Sequence, residues 1–373
     1  MAKNKFIEEL NIELKKSLGN NYKDNFDYER FGKNFMGFDL KKSQKELYSR
    51  GWQIPFTSLF FLFNTKQPAS FIIKNYILSI FGERLNKVFS ILADDYSKEL
   101  LVKLIAFKIL GYEKVKLPTN SEYYWDTLKL IRNCEIKGEK IQLDYPKINL
   151  SKFDLNKLNL PVTINLSATG ILIDFFLEQY NYNNIIKAET GDIVIDAGAC
   201  WGDTALYFAN KVGDSGRVCS FEFIPSNIKI FNQNISLNPL LKENIDLIER
   251  PLWEHTDQAV FFQNKGPASS VSFKKFNNSE GVTKTISIDD FYTQYGLSKL
   301  DLIKMDIEGA ELFALKGGVN TLKKHKPKLA IANYHGLNDF VNIPIWINDL
   351  NLGYKLYLNH FTLHWEESVI FAK

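Results

Sequence analysis

The stretch Asp192-Ile-Val-Ile-Asp-Ala-Gly-Ala-Cys-Trp-Gly-Asp-Thr-Ala-Leu-Tyr-Phe-Ala-Asn210 decides the fold. Its apolar run, Ile193 to Ile195, reads as a strand buried on both faces. The run stops at Asp196, a turn of small residues follows, and from Thr204 the apolar positions recur at helical spacing. A strand, a glycine turn and a helix N-terminus in succession form a seat for a nucleotide-like ligand. Gly198 and Gly202 let the backbone approach a ligand or adopt dihedrals that other residues resist, and Asp203 or Thr204 can cap the helix. The third glycine of a dinucleotide fingerprint is missing, because Ala199, Cys200 and Trp201 separate the two that are present. No Gly-Lys-Ser/Thr follows, which excludes a Walker loop.

Downstream, strands and helices alternate. Arg217 to Glu222 reads as a second strand with a helix after it from Ser226 to Leu237, and Asn244 to Glu249 as a third strand. Gln258 to Ile286 reads as antiparallel hairpins and a loop turning at Gly266-Pro267. Asp301 to Asp306 is a fourth strand with a helix opened by Gly309, Lys328 to Asn333 a fifth, and Tyr354–Asn359 with Ser368–Ala372 an antiparallel closing pair. The expected class is α/β: a Rossmann-like, mostly parallel sheet with helices on both faces and an antiparallel C-terminal strand, over residues 186–373. Residues 1–140 read as a mainly helical N-terminal domain. Phe6, Leu10 and Leu14 recur every four residues, a loop rich in Tyr, Asn and Phe follows, Phe71 to Phe81 is apolar, and Ser97 to Gly111 looks like a complete helix capped by Ser97. Such helices can support the core, cover a substrate or join copies in a homo-oligomer. Residues 141–185 read as a connecting segment of loops and short strands with Pro146 and Pro161, then a helix from Gly170 to Tyr182.

With 373 residues, 45% hydrophobic and 24% charged, the composition is that of a soluble globular protein. A net charge of +3 with dispersed lysines gives no nucleic-acid footprint. Cys134, Cys200 and Cys219 lack metal-ligand spacing and read as reduced thiols. The polar, amphipathic start is unlike a signal peptide, and the apolar stretch Leu59 to Phe63 is too short to span a bilayer, so the expected location is cytoplasmic.

In an open parallel sheet, ligands bind beyond the carboxyl ends of the strands. Here those ends carry Asp196, Glu222 and Asp306, and the fifth strand runs into His335. A carboxylate at the end of the second strand can accept hydrogen bonds from both ribose hydroxyls of an adenosine. Leu252 or Trp253, after the third strand, can line an adenine pocket. Strand alternation puts Lys304 and Asp306 on one face, with Glu308 in the next turn. Asp306, Glu308 and His335 are each able to orient a substrate hydroxyl or take its proton; Glu308 and Glu311 can equally serve the following helix N-terminus. His360 and His364 are weaker candidates.

Asp196-Ala-Gly-Ala-Cys-Trp-Gly-Asp-Thr204, Phe221-Glu-Phe-Ile-Pro-Ser-Asn227, Ser287-Ile-Asp-Asp-Phe291, Ile303-Lys-Met-Asp-Ile-Glu-Gly-Ala-Glu311, Tyr334-His335 and Glu366-Glu-Ser-Val-Ile-Phe-Ala372 stand in the order seen in FkbM-type methyltransferases. The chain resembles that family from about Ile171 to its end, and the helix from Asp94 to Gly111 looks similar to the family's upstream region. The resemblance implies a Rossmann-like O-methyltransferase that uses S-adenosylmethionine, releases S-adenosylhomocysteine and acts on a hydroxyl of a sugar, glycan or natural product. The expected cofactor contacts are Asp196, Gly198, Ala199, Gly202, Asp203, Thr204, Glu222, Phe223, Leu252 and Asp306, with Asp196 facing the methionine amino group or ordering the turn. The catalytic set is His335, Asp306 and Glu308, and the pattern does not choose the base among them. A divalent metal held by Asp306 and Glu308 is compatible but not demanded by the spacing, so no metal ligand is assigned. The rival readings are a methyltransferase-like protein that binds without turnover and, more weakly, a nicotinamide oxidoreductase.

Overall fold

The computed structural model describes residues 4–23, 25–26, 69–143, 149–264, 266–267, 269–275 and 279–373. The stretch Leu59–Phe63, most of the Tyr/Asn/Phe-rich loop and Pro146 lie outside the described residues. In chain order come α1 (Lys5–Ser17), α2 (Ala69–Ile91), α3 (Asp95–Leu110) and α4 (Glu122–Arg132). Next are β1 (Glu135–Gln142), β2 (Asn149–Asp154), β3 (Thr163–Leu166) and α5 (Ala168–Ile171), which runs on into a π-turn at Leu172–Phe176. The sheet region then alternates β4 (Ile193–Ala197), α6 (Asp203–Val212), β5 (Arg217–Phe221), α7 (Pro225–Ser236) and β6 (Ile245–Ile248). β7 (Ala259–Gln263), β8 (Ser270–Ser272) and β9 (Gly281–Lys284) form a hairpin insertion. The chain closes with α8 (Ile288–Gln294), β10 (Leu302–Met305), α9 (Glu311–Lys316), α10 (Val319–His325), β11 (Lys328–Ala332), α11 (Leu337–Asp349), β12 (Leu356–His360) and β13 (Ser368–Ala372).

The main sheet has the order β12-β13-β11-β10-β4-β5-β6. β11, β10, β4, β5 and β6 pair in parallel, while β13 runs antiparallel to both its neighbours. The strand order reverses between β4 and β10, the switch point where such sheets open a crevice. Side chains on successive strand residues point to opposite faces, and the cores divide accordingly. Ile195, Ala197, Cys219, Phe221, Ile303, Met305 and Ile331 face a cluster that also holds Phe6, Leu10, Ile77, Leu85 and Leu104 of α1–α3. Val194, Val218, Leu302, Ala330 and Phe371 face the other cluster, with α4, α6 and the small β1–β3 sheet. The N-terminal helices therefore share one core with the sheet rather than having a separate one. Lys87 of α2 also pairs with Asp349 of α11 at 3.0 Å.

Several local readings shift. Asp94, not Ser97, caps α3: its side chain accepts from the Ser97 N–H. The helix expected from Gly170 to Tyr182 ends at Phe176 after a π-turn that buries Asp174. Strands β1, β2 and β3 build a three-stranded antiparallel sheet of their own. Gly202 in a left-handed conformation precedes α6, which has no side-chain cap. Thr204 turns inward instead. α9 starts at Glu311 rather than Gly309, because Glu308 and Gly309 are both left-handed (φ 57° and 92°).

Polar groups cross the middle of the sheet on the α6 side. Register puts Lys304 of β10 opposite Asp196 of β4, and Asp196 opposite Ser220 of β5. Lys304 Nζ lies 2.9 Å from Asp196 Oδ1, with both side chains buried. The Thr204 hydroxyl donates to Asp196 Oδ1 and Oδ2 at 2.9 and 3.0 Å, and the Ser220 hydroxyl donates to Oδ2 at 3.1 Å. Lys304 Nζ also donates to the carbonyls of Ala197 and Gly198 at 3.2 and 2.8 Å. Burial opposes the charge on Lys304, but Asp196 and Asp306 outweigh it and hold its pKa above the ordinary lysine value. Removing one partner of a buried pair strands the other charge. Lys304→Met is thus expected to lower the unfolding free energy by about 3–5 kcal/mol in urea titration. Adding Asp196→Asn, which removes the stranded charge yet keeps an acceptor for Thr204, should recover part of that loss.

Candidate active site at the carboxyl edge of the sheet

A cleft partly open to solvent lies beyond the carboxyl ends of β4, β5, β6 and β10. Gly198, Glu222, Phe223, Leu252, Asp306 and Glu308 line it among the expected residues, together with Ile224, Asn227, and Gly266, Pro267 and Val271 of the hairpin insertion. The floor is set by a close approach. Gly198 has φ +82°, and a Cβ built on it would stand 1.9 Å from the Asp306 carbonyl oxygen. Asp306 N donates to the Ala197 carbonyl, and the N–H groups of Gly198 and Ala199 both donate to the Phe221 carbonyl, at 3.0–3.1 Å. Three strand ends are thereby tied together under the cleft.

Glu222 is buried beneath the cleft and already oriented. Its Oε1 accepts from the N–H groups of Phe223 and Ile224 at 2.7 and 2.8 Å, and Oε2 accepts from Asn227 Nδ2 at 3.2 Å. Burial raises its pKa, against the opposing effect of those donors and of Lys304. Each carboxylate oxygen has about two acceptor sites, so Oε2 keeps capacity toward a diol. Asn227 also reaches the Gly266 carbonyl at 3.4 Å, which connects this carboxylate to the hairpin insertion. Leu252 supplies an apolar wall; Trp253 instead stacks on Phe313, with centroids 4.6 Å apart and planes at 11°.

The other half of the cleft is acidic. His335 Nε2 lies 3.3 Å from Asp306 Oδ1 and 3.6 Å from Glu308 Oε2, while Nδ1 lies 3.3 Å from Glu311 Oε1. The Tyr334 hydroxyl donates to Asp306 Oδ2 at 3.2 Å. Burial disfavours charge on His335, but Glu311, Asp306 and Glu308 outweigh it and hold its pKa well above the ordinary histidine value. Burial alone would raise Asp306, yet His335, Lys304 and Tyr334 bring it below the usual carboxylate range. Glu311 is fully buried; desolvation pushes it up to about 7 despite the pull of His335. Its Oε1 accepts from the N–H groups of Ile307 and Gly309 at 2.8 and 3.3 Å, bracing the Asp306–Glu308 turn from behind.

Asp306, Glu308 and His335 thus come together as expected from the sequence. Asp196 and Thr204 are not among the lining residues: both take part in the buried row that orders the turn, the second of the two roles expected for Asp196. Ala199, Gly202 and Asp203 stand behind the cleft's lining. Asp203 hydrogen-bonds Asp174 of the π-turn, and burial raises both carboxyls, Asp174 well above its ordinary value. His360 is engaged with Ser368 at 2.9 Å, and His364 packs edge-on to Phe26, both away from the cleft. Sequence reasoning missed Asn227, Asp174 and the hairpin residues. Asn227 had a signal, since it sits one helical turn beyond the Glu222 strand end; the others had none. Gly198→Ala should abolish binding in the cleft and lower the melting temperature. Calorimetry with S-adenosylhomocysteine beside a thermal melt checks both.

Residues 196–356 match the family model described as the methyltransferase FkbM domain. None of the curated proteins compared matches the chain. Among solved structures, methyltransferase FkbM from Methylobacillus flagellatus KT is similar at 17% identity and a TM-score of 0.53, covering 90% of this chain and 72% of that one. Fibrillarin from Aeropyrum pernix, in complex with natively bound S-adenosyl-L-methionine, matches at 12% identity, TM-score 0.34, over 63% of this chain and 93% of its own. An O-methyltransferase from Bacillus cereus in complex with SAH matches at 13% identity, TM-score 0.32, over 58% and 85%. The glycine turn, the Glu222 strand end and the Asp306–His335 cluster all fall inside the span that matches the methyltransferase FkbM domain.

Proposed function

We propose that the protein is an S-adenosylmethionine-dependent O-methyltransferase acting on a hydroxyl of a sugar, glycan or natural product. The observation that carries the reading is Glu222, a buried carboxylate fixed by two backbone N–H groups and Asn227, facing an apolar-walled cleft beside a glycine turn. That arrangement suits an adenosine: Oε2 toward the ribose diol and Leu252 and Ile224 toward the base. When bound, the cofactor supplies an electrophilic methyl group and leaves as S-adenosylhomocysteine. Gly198 lets the turn after β4 close against the Asp306 carbonyl and so keeps the floor beneath the ligand intact. In-line placement of an acceptor oxygen accounts for a large share of such rate enhancements.

The acceptor hydroxyl belongs between Asp306 and Glu308, the two carboxylates that reach the cleft surface from the acidic half. Asp306 accepts the hydroxyl proton as the oxygen attacks, with Tyr334 and His335 holding its carboxylate in place, and Glu308 orients a neighbouring hydroxyl. His335, set among Asp306, Glu308 and Glu311, positions those carboxylates rather than acting as the first base. Proton removal by a positioned group contributes about 10²–10⁴-fold.

Two measurements test this. Titration calorimetry should show S-adenosylmethionine and S-adenosylhomocysteine binding with micromolar affinity, lost in Glu222→Ala, and no comparable binding of NAD. Failure of both cofactors to bind folded protein, or binding of NAD alone, would overturn the reading. Once an acceptor is found, Asp306→Asn should lower kcat by about 10²–10⁴-fold in protein that circular dichroism shows to be folded.

A further inference from the structure

The acidic half of the cleft contains a constellation that hydroxyl binding alone does not require. Asp306, Glu308 and His335 each offer one ligand atom, and these three atoms lie within 4.8 Å of one another. Among the described residues no other group of this kind occurs. The histidine is the independent sign. Its side chain is nine-tenths buried, and neither ring nitrogen makes a hydrogen bond of proper geometry with any described residue, although carboxylate oxygens stand 3.3–3.6 Å away. Buried polar atoms in native structures are nearly always satisfied, and an exception points to a missing ion or water.

From this geometry we infer a divalent-cation site formed by Asp306, Glu308 and His335 Nε2. The surroundings match what metal-bound histidines need. The second ring nitrogen of such a histidine usually meets a carboxylate that fixes the ring, and here Nδ1 faces Glu311 Oε1 at 3.3 Å. Glu311 is itself locked by the N–H groups of Ile307 and Gly309. The ligand set comes from two strand ends, with Asp306 following β10 and His335 following β11, and from the turn at Glu308. Asp306 and Glu308 also line the cleft, so the open positions of an ion face the space where a ligand sits.

The donor set narrows the ion. Two carboxylate oxygens and one imidazole nitrogen favour a first-row divalent ion of the Mn²⁺ kind over Ca²⁺ and Mg²⁺, which prefer all-oxygen shells. Three protein ligands leave positions for two oxygens of one acceptor, which would select acceptors with neighbouring hydroxyls. That last role rests on the proposed function; the binding of the ion does not.

The test uses the full-length protein with Mn²⁺ alone, read by the loss of the free-ion signal in electron paramagnetic resonance. The expected result is uptake of one ion per chain, weaker competition by Mg²⁺ than by Zn²⁺, and a drop in affinity of about 10-fold or more in Glu308→Gln and, separately, in His335→Gln. Circular dichroism and a cooperative thermal melt on the same samples confirm that each variant is folded, and S-adenosylhomocysteine calorimetry is run on the wild-type protein beside them. Glu308→Gln, at the more exposed ligand, keeps the test open if the buried histidine variant does not fold. No uptake by folded wild-type protein at millimolar Mn²⁺ overturns the site, as does uptake unchanged in folded variants. Uptake that depends on Glu308 and His335 in protein that fails to bind S-adenosylhomocysteine supports the metal site and overturns the cofactor reading instead.

Discussion

The buried ion pair between Asp196 and Lys304 holds the architecture in register. Two charges inside a sheet are costly unless each finds several partners. Asp196 receives Lys304, Thr204 and Ser220, and Lys304 reaches two further carbonyls. A slip of one residue along β4 or β10 would turn these groups to the opposite face and leave a charge against Ile195, Ile303 and the helices beyond them. The pair therefore fixes not only which strands are neighbours but also how far each one extends. That decides where Gly198, Glu222 and Asp306 emerge at the carboxyl edge.

Much of this was readable in the chain. Buried parallel strands announce themselves as short, largely apolar runs ended by turns, so Ile193–Ile195, Arg217–Glu222 and Asp301–Asp306 read as strands with their polar ends. The topological rule for open sheets then brings Glu222, Asp306, Glu308 and His335 to one edge without coordinates. What stayed hidden depends on pairing across the sheet. Lys304 could be placed on the same face as Asp306, but its true partner sits on a neighbouring strand at a register no local pattern reveals. Cys200 adopts a left-handed conformation (φ 42°) that its residue type does not advertise. The β1–β3 sheet was blurred because β1, Glu-Ile-Lys-Gly-Glu-Lys-Ile-Gln, is largely exposed and lacks a clean apolar face. The π-turn that buries Asp174 interrupts a stretch whose apolar spacing otherwise continues.

The helices before the sheet take part in the same structure. Phe6, Ile77 and Leu104 pack in one cluster with Ile195, Ile303 and Ile331, so the layer that covers one face of the sheet comes partly from the beginning of the chain and partly from α8 to α11. Large apolar faces of a parallel sheet need such cover on both sides. Here the sequence draws half of it from residues distant in the chain, joined by contacts such as Lys87 with Asp349 and Arg84 with Asn342.

The contact between the Asp306 carbonyl and Gly198 has a mechanical consequence. Because the carbonyl occupies the volume where a side chain would stand, the two loops that floor the cleft cannot move independently. The Asp306 N–H bond to the Ala197 carbonyl joins the same two strand ends. A side chain at position 198 would wedge them apart and carry the carboxylates of Asp306 and Glu308 away with the turn.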